Sequence, residues 1–189
     1  MSRFQSLRFL LNEAFFLAMM AVIAAILTAA MVMQYGKGEL PCPLCLLERV
    51  AMLGVCFGII QNVRRGFSDR NLGISLLFAV FLLVVAARQM LLDIYPRPGH
   101  DYVGSEVLGL HMPVWGAVIA LILIAAFALK LAIIGTEDGA RPSGRSSVLG
   151  RTGAALSLYV IAIAAVNFGS VVVQCGIGQC HTESYALLR

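Results

Sequence analysis

The chain has 189 residues, of which 60% are hydrophobic and 13% charged, with a formal net charge of +4; soluble globular domains carry about 25% charged residues. That balance excludes an ordinary soluble domain, and with no run of five like charges there is no basic arm or patch for nucleic acid. A mean hydropathy of +0.88 and a length suited to one domain point to a single bundle of helices in lipid.

Five apolar segments approach the ~20 residues that a helix needs to cross a hydrocarbon core. They lie at about 14–34, 44–62, 72–95, 114–134 and 151–173. The first is longer than the apolar core of a signal peptide, and "MVMQYGKGELP" offers no small-x-small cleavage site, so it reads as a permanent span. The predicted fold class is therefore all-α, a polytopic membrane helical bundle forming one integral domain over 1–189.

Between the first two spans stands "PCPLCLLER", residues 41–49. Pro43 fixes φ and suits the first turn of a helix. If span two starts there, Cys45 lies in its first turn, where the helix dipole and free N–H groups favour a reactive thiolate. Arg49 follows Cys45 by four residues and shares its face. Its guanidinium can donate to an oxygen that gains charge during a reaction. The bland alternative is a snorkelling arginine paired with Glu48, but adjacent residues on a helix do not face each other. Further along span two, Cys56 reads as a small apolar residue. Gly54-x3-Gly58 has the spacing of a close helix contact.

The loop after span three ends in "SEVLGLHM", which could form a short amphipathic surface helix. His100, Asp101, His111 and Met112 gather loosely there, without the spacing of a metal site. After span four, "TEDGARPSGRSS" reads as a linker over about 136–150. Span five leads to a tail, 174–189, carrying Cys175-x4-Cys180.

Five spans put the termini on opposite sides. Arg3, Arg8, Arg64, Arg65, Arg70, Lys130, Arg141, Arg145 and Arg151 then fall on one side, and Lys37, Arg97 and Arg189 on the other. Nine against three is a positive-inside bias that predicts a cytoplasmic N-terminus and a tail outside the cytoplasm. Cys42, Cys45, Cys175 and Cys180 would all face an oxidising compartment, where thiols form and keep disulfides. The two pairs read as redox pairs, with structural staples or a zinc site of four thiolates as the alternatives.

"CPLCLLERVAMLG" resembles the signature of the DsbB family, bacterial inner-membrane thiol:quinone oxidoreductases. "MLLDIYPRP" resembles that family's exit from span three, and "LGLHMPVW" resembles its start of span four. The resemblance implies a DsbB-like four-helix core plus one additional transmembrane helix, in the bacterial inner membrane. It implies that a periplasmic thioredoxin-fold thiol oxidase, DsbA-like, is reoxidised and that electrons pass to ubiquinone or menaquinone. On this pattern Cys42 and Cys45 face the quinone, Cys45 reacts with the ring, Arg49 holds a quinone oxygen, and Met112 and Trp115 line the pocket.

The sequence departs from that pattern in two places. The loop between spans three and four has no cysteine, so Cys175 and Cys180 in the tail would take electrons from the soluble partner and pass them to Cys42–Cys45. Gln89 falls where some members carry a histidine near the quinone; Gln can hydrogen-bond a quinone oxygen but cannot donate a proton as imidazolium does. Arg88, about two turns inside the membrane, needs a partner or a water path, and either residue could face the quinone. A non-catalytic membrane protein with stapled loops, or a metal-handling role, is the alternative of another class.

Overall fold

The structure is a computed structural model that describes residues 3–94, 108–135, 148–176, 180 and 185. The described residues form five helices: α1 (Arg3–Gly36), α2 (Pro43–Arg65), α3 (Asp69–Ile94), α4 (Met112–Ile133) and α5 (Val148–Cys175). All five are long and apolar enough to cross a membrane, and the chain is read as a multi-pass membrane protein. The helices outrun the predicted spans, most at α1, which begins eleven residues earlier. Polar ends can extend a helix into the headgroup region, where hydropathy no longer reports it. α5 begins at Val148, inside the stretch expected to be linker, and ends on Cys175, inside the expected tail.

α2 is the central element, packing against α1, α3 and α5, while α4 lies against α3 and α5 against α1. Lipid tails are as apolar as leucine, so close packing rather than water exclusion must join helices here. Gly58 permits that closeness. A Cβ at Gly58 would lie 2.6 Å from the Asn71 carbonyl oxygen and 2.9 Å from the Ser75 nitrogen. The α2–α3 turn is tied by Ser68 N donating to Asn62 Oδ1 at 3.1 Å. Gly66, at φ 114°, adopts there a backbone that L side chains resist.

Phe16, Met20, Ile23, Val55, Ile59, Leu82, Ala120 and Phe127 form the centre of the core, and Cys56 is enclosed among them as an apolar filler. Large apolar side chains such as Leu77, Val84, Leu91 and Phe168 point outward, as a lipid-facing surface requires.

The bundle has two chemically distinct ends. At one end Phe16 stacks on Phe67 and Phe9 packs tilted against it, and Lys130 lies 5.5 Å from the Phe16 ring centre. The two cysteine pairs and most of the polar side-chain bonds lie at the other. The expected surface helix over 105–112 is corrected where the structure describes it: Leu108 and Gly109 have φ of 53° and 75°. Two successive positive φ values make a turn and exclude a right-handed helix. His100 and Asp101 lie outside the described residues.

Candidate functional site: a disulfide at the mouth of an arginine-lined cavity

Cys42 is the N-cap of α2, with extended backbone, and Pro43 is the first helical residue. This is the favoured place for proline, because its missing N–H would have been an orphan there. Cys45 therefore sits in the first turn, and its N–H points at Cys42 Sγ, 3.0 Å away. Cys42 and Cys45 are disulfide-bonded. From α3, the buried Gln89 turns its Nε2 onto both sulfurs, 3.3 Å from Cys42 Sγ and 3.4 Å from Cys45 Sγ. Arg88, its neighbour, lies on the exposed face of α3 and does not line the cavity.

Beside the disulfide a cavity of about 140 Å3 opens between α1, α2, α4 and the segment 39–41. Cys45, Glu48 and Arg49 form its polar side, and Met112, Trp115, Ile119, Ile26 and Leu27 are part of its apolar wall. Four residues singled out in the sequence thus share one cavity: Cys45, Arg49, Met112 and Trp115. Gln89 stands behind the disulfide instead.

Arg49 is nine-tenths buried and held from two other helices. Its Nη1 donates to Gln34 Oε1 of α1 at 2.6 Å and lies 3.5 Å from Asn167 Oδ1 of α5. Its Nη2 donates to the Ala30 carbonyl at 3.2 Å. Among the described residues Nε–H meets no protein acceptor, leaving a donor for a ligand. Gln34 passes the chain on, its Nε2 donating to Ser170 Oγ at 2.6 Å and lying 3.4 Å from the Tyr185 hydroxyl. Glu48 does not pair with Arg49. It turns toward α4, where Gly116 makes room: a Cβ there would lie 2.9 Å from Glu48 Oε1. That oxygen is buried without a hydrogen-bond partner.

The second cysteine pair stands close by. Cys175 ends α5 and is disulfide-bonded to Cys180. The preceding residue, Gln174, donates from Nε2 to the carbonyl of Pro41 at 2.8 Å, the residue before Cys42. One hydrogen bond thus links the immediate neighbours of the two pairs. Sequence reasoning weighed Glu48 only as a partner of Arg49 and missed Gln34, Asn167, Ser170 and Gln174. The available signal was their isolation as polar residues inside apolar helices.

Fold and site together define a polytopic membrane protein with a disulfide set at a helix mouth beside a small, mostly apolar cavity. The family model described as "Disulfide bond formation protein DsbB" matches residues 12–101, which include α2 with its cysteines, α3 and most of α1. Over that stretch, just under half of its length, the chain is similar to the DsbB family. It is 26% identical to "Disulfide bond formation protein B" of Cupriavidus metallidurans over 149 residues, covering 64% of this chain and 92% of that protein. It is 37% identical to the protein of the same name from Chromohalobacter salexigens over 105 residues, covering 49% and 58%, and 33% identical to the one from Azoarcus sp. over 99 residues, covering 46% and 58%. No solved structure matches the chain.

Proposed function

We propose that this protein is a thiol:quinone oxidoreductase that supports disulfide bond formation, in the bacterial inner membrane with its N-terminus cytoplasmic. The single observation that carries the reading is the convergence of the Cys42–Cys45 disulfide, Arg49 and an apolar wall on one cavity. A staple or a metal site has no use for a buried guanidinium beside the thiols, whereas an acceptor that becomes negative does. Relatives named for disulfide bond formation support the same reading.

The residues fit a quinone on three counts. A cavity of about 150 Å3 is enough for one benzene-sized ring, close to the 140 Å3 found here. Among the described residues Arg49 Nε–H meets no protein acceptor, and Glu48 Oε1, a buried oxygen with no donor, could accept from a hydroxyl of the reduced ring. Arg49 would hold a ring oxygen, with Met112 and Trp115 against the ring. A bound quinone supplies the two-electron acceptor that a relay of thiols lacks.

The chain's own part is thiol–disulfide exchange. A thiolate of a reduced thioredoxin-fold partner attacks a disulfide sulfur of the chain, forming a mixed disulfide and releasing a cysteine thiolate. The partner's second thiolate resolves it, leaving the partner oxidised and the chain's pair reduced. Electrons that enter at Cys175–Cys180 move to Cys42–Cys45 by the same exchange, oxidising the tail pair as the mouth pair is reduced. Gln89 holds the mouth pair, and Arg49 sets the charge at the cavity.

The test is quinone reduction by the purified full-length protein, driven by a reduced thioredoxin-fold oxidase. Wild type is expected to turn over with ubiquinone or menaquinone, and Cys45→Ser to be inactive. A wild type inert toward both quinones, with all four thiols permanently oxidised, would favour a stapled, non-catalytic protein.

A further inference from the structure

The buried residues of α5 run Gly153, Ser157, Val160, Ile163, Asn167, Ser170 and Gln174, at spacings of three and four that keep one face toward the bundle. That face changes character along its length. Gly153 lies against Val63 and Leu17, and Val160 and Ile163 join the core. Asn167, Ser170 and Gln174 then bring three polar side chains to the cysteine end, reaching Arg49, Gln34 and Pro41 respectively. Helix packing in lipid needs no such groups, and a polar side chain there demands a partner.

We propose that the outer half of α5, a helix outside the family match, is a positioning element that sets the Arg49 guanidinium at the cavity through Gln34. The proposal rests on the quinone reading for what Arg49 then holds. The Gln34 amide has one acceptor and one donor end. Arg49 offers only donors, so it takes Oε1, and Nε2 must find another acceptor. Ser170 Oγ, 2.6 Å away, supplies it, fixing the sense of the amide and with it the direction of Arg49. Asn167 Oδ1 gives Nη1 a second acceptor on the same side. Without these two groups the amide is left with the more distant Tyr185 hydroxyl, at 3.4 Å, and can turn its NH2 toward the guanidinium, which would then swing from the cavity.

The experiment uses the full chain in lipid nanodiscs and compares wild type, Ser170→Ala, Asn167→Leu/Ser170→Ala and Tyr159→Phe. The last removes the 2.7 Å bond between Tyr159 and Thr28, an α1–α5 link that involves neither Arg49 nor Gln34, and controls for loosening of the helix pair. The first readout is quinone KM against kcat with a small dithiol as reductant. The second is the 15N-guanidinium resonance of Arg49. Losing one hydrogen bond to a charged group should raise KM about tenfold in the double variant with kcat little changed, and move the resonance, while Tyr159→Phe leaves both alone. A KM unchanged in an active double variant overturns the proposal, and so does an unmoved resonance or an equal effect of Tyr159→Phe. If the double variant does not fold, Ser170→Ala is judged by the same measures. If wild type reduces no quinone, the functional reading fails separately, and the resonance alone decides whether α5 positions Arg49.

Discussion

A disulfide that exchanges must release one sulfur as a thiolate, and the released charge needs a donor. Gln89 Nε2 lies within 3.4 Å of both sulfurs of Cys42–Cys45, so it can serve whichever departs. A hydrogen bond to a charged group is worth ~1.5–3 kcal/mol. Gln89→Leu should therefore slow reduction of the pair by a small dithiol by about tenfold or more, as read by stopped flow; an unaltered rate would sink this role. Gly116 makes a second single-residue case. A Cβ there would come 2.9 Å from Glu48 Oε1 and 3.1 Å from its Cδ, pressing the carboxylate into the cavity. Because a flexible side-chain end can give way, Gly116→Ala should change stability by less than ~1 kcal/mol yet raise the quinone KM. In a Glu48→Ala background the same substitution should do nothing further, since contacting residues couple and removing one ends the coupling. An additive pair would show that the two do not act through this contact.

Between helices, the two glycines of α2 differ in what they face. At Gly54 an added Cβ would meet the Phe78 ring, which can turn aside, whereas at Gly58 it would meet the backbone of α3 at Asn71 and Ser75. Overpacking costs ~1–3 kcal/mol, and rigid backbone should bring Gly58→Ala to the upper end. Thermal unfolding in detergent should rank Gly58→Ala well below Gly54→Ala; the reverse order would mean that α2 and α3 separate more readily than packed backbones should. This helix contact was legible in the sequence, because small residues four apart in an apolar run have one usual purpose. The mouth of α2 was legible for a similar reason: Pro43 and the cysteines mark a helix start by local chemistry alone. The bonds around Arg49 were not. They join Gln34, Asn167 and Ser170, up to 136 residues apart, and periodicity places a residue on a face without saying which helix that face meets. The polar stripe of α5 was visible as a pattern, but its target was not.

For the molecule as a whole, the order of the stations depends on where the second pair sits. Gln174 and Pro41 share a 2.8 Å hydrogen bond, so the tail disulfide stands beside the mouth of α2, as a relay requires and as a staple of distant loops would not. Cys175 is buried at the helix end while Cys180 is more exposed, so a bulky partner would meet Cys180 first, and Cys175 would leave as the inward-facing thiolate. A small dithiol needs no such station and can reach the mouth pair directly. Cys175→Ser/Cys180→Ser should therefore lose quinone reduction driven by a thioredoxin-fold protein while keeping that driven by a small dithiol. Equal activity with both reductants would make the tail pair a staple and bring the partner straight to Cys42–Cys45. The same geometry bears on orientation, because both pairs must then share one side of the membrane. After mild reduction of intact spheroplasts, an impermeant maleimide should label Cys180, and a tag on the N-terminus should stay protected from added protease. Labelling that requires lysis would place the relay on the reducing side, where its disulfides could not persist.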